Sequence, residues 1–303
     1  MAVVEVTQVT HRYGRVTALE NLDLAVPQGA LYALLGPNGS GKTTLMQILV
    51  GLRRPTSGRV ALLGTDSASL TLADRATIGY IAEGQSLPGW MRLEQVEAYL
   101  APLYPTWDAA LAASLRDRFA LDPHRKLQTL SRGQQMKAAL LCALAPRPRL
   151  LIMDEPFTGM DALVKDELVR GLLDSASSEG WTVLVASHDI GELELLADWV
   201  GFLARGRMQL SEPMESLKQR LHHVDIVASS VPNGVIDAPW VIGVEQSGSR
   251  ISLLVDHSGP QSVESLLRAR IPNATRVDAR QASLREIFVA LAKRVATMQE
   301  VAA

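Results

Sequence analysis

The chain has 303 residues with a formal net charge of −2, and 47% of its residues are hydrophobic. This near-neutral charge argues against a protein that binds nucleic acid or anionic membranes through a broad basic face. The single cysteine, Cys142, excludes a disulfide within the chain and fits a reducing compartment. No apolar run reaches the about 18–20 residues that span a bilayer, and no signal peptide is recognisable. We therefore expect a cytoplasmic globular protein.

Strands and helices alternate over the first two thirds of the chain. Alternating or continuous apolar runs predict strands at 3–9, 22–26, 31–35, 58–63, 78–82, 150–153 and 182–186. Apolar residues at three- and four-residue spacing predict helices at 42–51, 108–119, 131–145 and 161–175. Parallel strands that alternate with helices predict a three-layer α/β fold.

The pattern changes near residue 220, where turn-rich connections separate shorter strands and helices. Short strands are predicted at 224–228, 250–255 and 275–278, and helices at 262–269 and 283–298. We therefore expect two domains, residues 1–220 and a small α/β unit at 221–303. This second unit contains no recognisable motif, so an accessory or dimerisation role is favoured over a ligand-sensing role.

A glycine-rich loop between the strand at 31–35 and the helix at 42–51 matches the pattern G-x-x-x-x-G-K-[ST]. Its residues are Gly36, Pro37, Asn38, Gly39, Ser40, Gly41, Lys42 and Thr43, and Thr44 follows. The glycines allow backbone N–H groups to surround a phosphate at the positive end of the helix dipole. Lys42 would contact the β- and γ-phosphates, and the Thr43 hydroxyl would bind Mg²⁺. The loop indicates a nucleoside triphosphate site; the alternative is a glycine-rich turn with an unrelated surface lysine.

Two carboxylates, Asp154 and Glu155, end the apolar strand at 150–153. A buried strand brings its last residues to the carboxyl edge of the sheet, where ligands bind in such folds. Asp154 would hold Mg²⁺ there, and Glu155 would orient or deprotonate an attacking water. The alternative is a solvated pair that caps the following turn.

Five motifs in order and spacing resemble those of the nucleotide-binding subunit of ABC transporters, over about residues 3–215. They are the glycine-rich loop, the acidic pair, Leu130-Ser131-Arg132-Gly133-Gln134, Gly159-Met160-Asp161 and Ser187-His188-Asp189. The resemblance implies a P-loop NTPase fold with an antiparallel β part and a helical subdomain at about 92–145. It also implies ATP and Mg²⁺ as ligands.

The resemblance assigns roles to further residues. In the family, Ser131, Arg132, Gly133 and Gln134 correspond to a signature that reaches the γ-phosphate held by the opposite subunit. Tyr13 matches the aromatic residue on which adenine stacks, Asp161 lies in the D-loop, and His188 corresponds to the switch histidine that contacts the γ-phosphate. For His188 a purely structural role is the alternative. Trp90, beyond the Q-loop, is either a core residue or part of the surface that contacts a membrane subunit.

Two positions depart from the family pattern. Glu83 stands where the Q-loop glutamine is usual, with Gln85 two residues later, and Arg132 replaces a signature glycine. Glu83 can still orient water or bind Mg²⁺, although it adds negative charge near the phosphates. The basic signature residue and the segment Tyr104–Asp108 resemble the ABC-2-like branch, which consists mostly of exporters with a separate membrane subunit.

The resemblance implies an ATPase that dimerises head to tail around two ATP molecules and drives an integral membrane permease, with export favoured. Its second ATP-binding subunit would be a copy of this chain or a paralogue, and it would lie at the inner face of the cell membrane through the permease. No nucleic acid partner is expected. A soluble ABC-type ATPase acting on ribosomes or DNA and a low-turnover ATP switch are the alternatives.

Overall fold

A computed structural model describes residues 1–158, 160, 165, 180–194, 197–228, 230–248 and 250–300. The chain divides into two compact units, Met1–Met208 and Gln209–Ala303. This division lies before residue 220 because Arg220 forms ion pairs with Glu212 and Asp256, which join the preceding stretch to the C-terminal unit. No helix in the described ranges has the length and apolar character needed to cross a membrane.

The first unit is built from ten strands and six short helices within the described ranges. The strands are β1 (Ala2–Tyr13), β2 (Val16–Pro27), β3 (Leu31–Leu35), β4 (Ser57–Leu62), β5 (Thr65–Asp66), β6 (Ile78–Ile81), β7 (Leu150–Asp154), β8 (Thr182–Ser187), β9 (Trp199–Ala204) and β10 (Arg207–Pro213), which extends past the division. The helices are α1 (Lys42–Leu49), α2 (Leu72–Ala76), α3 (Leu93–Leu100), α4 (Ala109–Arg118), α5 (Arg132–Leu144) and α6 (Ile190–Leu193). The helix predicted at 161–175 falls almost entirely on residues outside the described ranges.

The central sheet has the strand order β10-β9-β3-β8-β7-β6, and its strands from β9 to β6 are parallel. Every residue of β3, β7 and β8 is buried, as expected for strands covered on both faces. In the register of these strands, Leu35 lies beside Ser187, and Asp154 lies beside Ala186. The loops that follow β3, β7 and β8 therefore emerge at the same edge of the sheet.

A second, antiparallel sheet has the order β2-β1-β4-β5. Helix α1 buries Leu45, Met46, Ile48 and Leu49 in a core that both sheets share. The glycine-rich loop is thus fixed between a buried strand and a helix that is covered by apolar side chains. This arrangement confirms the predicted layered α/β fold with an antiparallel β part.

Helices α3, α4 and α5 form a helical segment between β6 and β7. Helix α4 begins after Asp108, whose carboxylate accepts a hydrogen bond from the Leu111 N–H (2.8 Å). Helix α5 begins after Ser131 with a reciprocal capping box formed by Ser131 and Gln134. These side-chain caps explain why helices begin directly after Asp108 and Ser131.

The second unit contains a separate four-stranded antiparallel sheet. Its elements are α7 (Met214–Arg220), β11 (Leu221–Ala228), α8 (Asn233–Ile236), β12 (Val241–Ser247), β13 (Arg250–Asp256), α9 (Val263–Arg270), β14 (Ala274–Gln281) and α10 (Leu284–Glu300). The strand order β12-β13-β11-β14 and the β-α-β-β-α-β succession are those of a ferredoxin-like split βαβ unit. Val224, Ile226 and Leu253 on the sheet share a core with Val263 and Leu267 of α9.

Candidate functional site

The glycine-rich loop connects β3 to α1, and two of its glycines are required by close backbone contacts. A Cβ atom at Gly36 would lie 2.1 Å from the Leu203 carbonyl oxygen. Gly41 has a φ of 108°, and a Cβ atom there would lie 2.6 Å from the Ala18 carbonyl oxygen. Neighbouring strands thus hold the loop closely, which leaves backbone N–H groups and the start of α1 as its ligand-binding surface.

Lys42 is the first residue of α1, and its relative exposure is only 6%. Its Nζ donates a hydrogen bond to the Gly36 carbonyl oxygen (2.8 Å) and lies 3.4 Å from Glu155 Oε1. The lysine charge is therefore directed at oxygen atoms of the protein. A phosphate would have to take over these contacts.

Glu155 follows β7 and has a φ of 48°, a left-handed backbone conformation that is unfavourable for a residue with a side chain. Its N–H donates to the Ala186 carbonyl oxygen (2.9 Å), which fixes this conformation against β8. Its Oε2 atom lies 2.7 Å from Nδ1 of His188 and accepts a hydrogen bond from the Thr158 hydroxyl (3.3 Å). Lys42, Glu155 and His188 therefore form one continuous chain of polar contacts, which we name the charge chain.

Asp154, the last residue of β7, is completely buried. Neither carboxylate oxygen has a hydrogen bond of ordinary geometry with any described residue. Burial raises the pKa of Asp154 to about 6; the Thr43 hydroxyl opposes the rise, while Glu83 and Glu155 add to it. Two carboxylates, a hydroxyl and the Lys42 ammonium thus all act on the buried Asp154 carboxylate, whose oxygen atoms could accept a cation.

The Q-loop follows β6, and its two candidate residues behave differently. The side chain of Gln85 accepts a hydrogen bond from the Ala82 N–H (2.9 Å), so its amide oxygen is used within the loop. Glu83 is close enough to Asp154 to raise its pKa. Of these two residues, Glu83 is the one whose charge adds to the raised pKa of Asp154.

The signature residues lie at the start of α5, where Ser131 caps the helix. The Ser131 hydroxyl accepts a hydrogen bond from the Gln134 N–H (3.3 Å), and the Ser131 N–H donates to the Gln134 side chain (3.1 Å). Ser131 and Arg132 are exposed, whereas Gly133 is buried. Within the described ranges, no hydrogen bond or ion pair joins these residues to the glycine-rich loop or the acidic pair. Ser131 and Arg132 are therefore accessible on the surface of the subunit and are not part of the charge chain.

Tyr13 lies at the end of β1, with its hydroxyl 3.4 Å from the hydroxyl of Thr44 on α1. The ring is 41% exposed, and the guanidinium carbon of Arg53 lies 5.0 Å from its centroid. Sequence reasoning identified Tyr13 but missed Arg53 and Thr158, for which no local sequence signal exists. The predicted D-loop residue Asp161 lies outside the described residues.

Comparison with known proteins places these motifs in a family. The sequence pattern of the ABC transporter family matches residues 19–158. The lantibiotic transport ATP-binding protein SrtF of Streptococcus pyogenes is 32% identical over 216 residues, which cover 69% of this chain and 90% of SrtF. The spermidine/putrescine import ATP-binding protein PotA of Pseudomonas aeruginosa is 31% identical over 220 residues, or 71% of this chain. The matched region spans only 60% of the length of PotA.

A solved structure agrees with these sequence matches. The dimeric post-hydrolysis state of the ATP-binding cassette MJ0796, bound to ADP and Pi, has a TM-score of 0.62 and 26% sequence identity. The similarity covers 70% of this chain and 98% of that cassette. The fold is that of a P-loop NTPase with the ABC-type helical subdomain. The chain belongs to the family of ABC transporter ATP-binding proteins.

Proposed function

We propose that this chain binds and hydrolyses ATP as the nucleotide-binding subunit of a membrane transporter. The observation that carries the proposal is the charge chain of Lys42, Glu155 and His188, which adjoins the glycine-rich loop and the unpaired carboxylate of Asp154. A structural role alone does not account for a buried lysine and a buried, unpaired carboxylate at the same sheet edge.

The loop residues Gly36–Thr43, with Thr44, would bind the phosphates through backbone N–H groups, the Lys42 charge and the start of α1. When a γ-phosphate takes over the Lys42 contact, Glu155 loses its cationic partner. Its carboxylate then becomes available to orient or deprotonate a water. His188, which contacts Glu155 at 2.7 Å, would hold that carboxylate in place and donate to the γ-phosphate.

The residues present at the acidic edge fit Mg²⁺, because Asp154 offers two oxygen atoms that no described residue satisfies. Thr43, Asp154 and Glu83 would hold the ion. When bound, Mg²⁺ would neutralise charge on the phosphates and so make them more susceptible to attack.

The complete site would require a second subunit. No hydrogen bond or ion pair joins Ser131–Gln134 to the charge chain within the described ranges, and MJ0796, which has a similar fold, is dimeric. We infer a head-to-tail pair, formed by two copies of this chain or by this chain and a paralogue. In that pair, each signature and each Asp161 would reach the nucleotide held by the other subunit.

Three large apolar side chains in the helical segment support a membrane permease as the partner. Trp90, Tyr99 and Leu103 are 72%, 65% and 58% exposed, and all three lie in the helical segment between β6 and β7, where they would offer apolar surface to a partner. Export is supported by the resemblance of Arg132 and Tyr104–Asp108 to the ABC-2-like branch. The subunit would lie at the inner face of the cell membrane through this partner.

The test is phosphate release by the full chain and by the Glu155→Gln variant, together with equilibrium ATP binding. We expect Glu155→Gln to slow hydrolysis by about 10²–10⁴-fold, because this is the usual cost of losing a general base. ATP binding should persist, and dimers should accumulate with ATP. The exposed carboxylate of Glu5 provides the matched control, and Glu5→Gln should leave the rate unchanged. Hydrolysis at the wild-type rate by Glu155→Gln would exclude this role of Glu155.

A further inference from the structure

The ring of Tyr13 is held on more than one side. Its hydroxyl is 3.4 Å from the Thr44 hydroxyl, and the guanidinium carbon of Arg53 lies 5.0 Å from the ring centroid. The imidazole of His11, two residues earlier on β1, meets the ring edge to face, with centroids 4.7 Å apart and an angle of 83° between the planes. Both nitrogens of this imidazole are buried without a hydrogen bond to any described residue. The side chain of His11 therefore acts as packing for the tyrosine.

Arg53 itself is anchored, although its side chain is exposed. It lies just beyond α1, and its N–H donates to the Gln47 carbonyl oxygen (3.1 Å). Its guanidinium Nε donates to the side-chain oxygen of Gln47 as well. Gln47 and Thr44 are three residues apart on α1 and therefore lie on the same side of that helix. On this side of α1, Thr44 thus contacts the Tyr13 hydroxyl, and Gln47 holds the arginine that lies over one face of the ring.

The loop that carries Arg53 is tied to the strand that carries Tyr13. The Thr56 N–H donates to the Thr10 carbonyl oxygen (2.8 Å), and the Arg12 N–H donates to the Thr56 hydroxyl (3.1 Å). These bonds hold the backbone of this loop beside β1. The fold therefore places Arg53 within reach of the Tyr13 ring.

We propose that Arg53 is a positioning residue for base recognition, which fixes the Tyr13 ring as the surface on which the adenine of ATP stacks. The proposal rests on the base-binding role proposed for Tyr13. A guanidinium over one face of an aromatic ring attracts the ring, and it leaves fewer ring orientations to be lost when a base binds. An attraction of this kind at an exposed position corresponds to about a two- to fivefold change in ATP affinity.

The effect should depend on the base, because a purine stacks over a larger area than a pyrimidine. Loss of Arg53 should therefore weaken ATP more than UTP. A long-range effect of the arginine charge on the phosphates would weaken both nucleotides equally. The comparison of the two nucleotides separates positioning from general electrostatics.

The experiment measures KM and kcat for ATP and for UTP in the full chain and in four variants. Arg53→Ala should raise KM for ATP about two- to fivefold, raise KM for UTP less, and change kcat little. Arg54→Ala is the matched control, since it removes the same exposed charge one position away, and it should leave both KM values unchanged. Tyr13→Ala should raise KM for ATP by more than Arg53→Ala does.

The KM values of these variants distinguish a failure of the role of Arg53 from a failure of the base site at Tyr13. If Arg53→Ala matches Arg54→Ala while Tyr13→Ala is impaired, base stacking stands and the role of Arg53 is refuted. If Arg53→Ala lowers KM, the guanidinium competes with the base, and the proposal is refuted as well. If Tyr13→Ala binds ATP normally, the proposed base site itself fails. Gln47→Ala, which keeps the arginine but removes its anchor, should show part of the Arg53→Ala effect, and a wild-type KM for ATP would contradict the anchoring.

Discussion

Both oxygen atoms of Asp154 are buried and lack a hydrogen bond of ordinary geometry to any described residue, although the Thr43 hydroxyl lowers the pKa of the carboxyl. Burial raises the pKa of this carboxyl from 3.8 to about 6, so at neutral pH the ionised form costs the fold about 3 kcal/mol. Such a group destabilises the ligand-free protein and is retained where a ligand compensates for it. The residue that binds the proposed cation is thus also a source of instability.

Replacing Asp154 by Asn should therefore stabilise the ligand-free protein at pH 7. We expect the free energy of unfolding to rise by about 1–2 kcal/mol, less than the full cost of the charge because the buried amide keeps unpaired polar groups. Urea denaturation without nucleotide measures this change. Asp117→Asn removes an exposed carboxylate from α4 and should have no effect. A ligand-free Asp154→Asn protein no more stable than wild type would refute the argument.

At the scale of single elements, helix α10 is attached to the second sheet by charged contacts at its first turn. Glu286 forms an ion pair with Arg280 of β14, lies 3.1 Å from Nδ1 of His223 on β11, and accepts a hydrogen bond from the Ser283 N–H (2.9 Å). Arg280 is the largest cause of a pKa of about 2 for Glu286, compared with an ordinary 4.5. The ionised form of Glu286 is therefore favoured by folding.

The sign of the pH dependence follows from this lowered pKa. The contribution of Glu286 to stability is present above about pH 4.5 and is lost as the pH falls towards 2. Glu286→Gln should lower the urea midpoint of the C-terminal unit at pH 6 and make it less dependent on pH between 5 and 3. Asp237→Asn, at an exposed position in the same unit, is the control. An unchanged acid dependence in Glu286→Gln would show that Glu286 does not attach the helix.

Burial accounts for part of what could be predicted of the fold, although β9 was missed even though Val200–Ala204 are buried. β3, β7 and β8 were predicted because strands buried on both faces need an apolar side chain at every position. β12 was missed because its second half, Glu245–Ser247, is exposed and polar, and such a sequence is typical of a turn. β10 was missed because none of its residues is buried.

In the site, too, some features could be predicted from the sequence and others could not. The glycine-rich loop and the acidic pair are each contiguous in sequence, so their positions could be predicted before the structure. The contacts of Lys42 with Glu155 and of Arg53 with Tyr13 join residues that are far apart in sequence. No local pattern encodes such pairs, and they emerge only when the two sheets and α1 pack together.

For the whole molecule, the proposed permease surface can be tested without disturbing the nucleotide site. Trp90→Ala should reduce co-purification of a polytopic membrane protein from detergent-solubilised membranes, because large exposed aromatic residues contribute strongly to interfaces. ATP binding should be unchanged. Leu72→Ala, which removes an apolar side chain that is 86% exposed on α2, is the matched control. Recovery of ribosomal or DNA-repair proteins instead of a membrane protein would favour a soluble ABC-type ATPase.

The charge chain affects which anions the proposed phosphate site would bind. Because Lys42 already contacts Gly36 and Glu155, an incoming anion gains from the lysine only the difference between its own contact and those it displaces. A free phosphate ion offers few additional contacts to offset that exchange, whereas a triphosphate engages the whole loop at once. If the loop binds ATP as proposed, we therefore expect ligands with several phosphate groups to be favoured and inorganic phosphate to compete poorly.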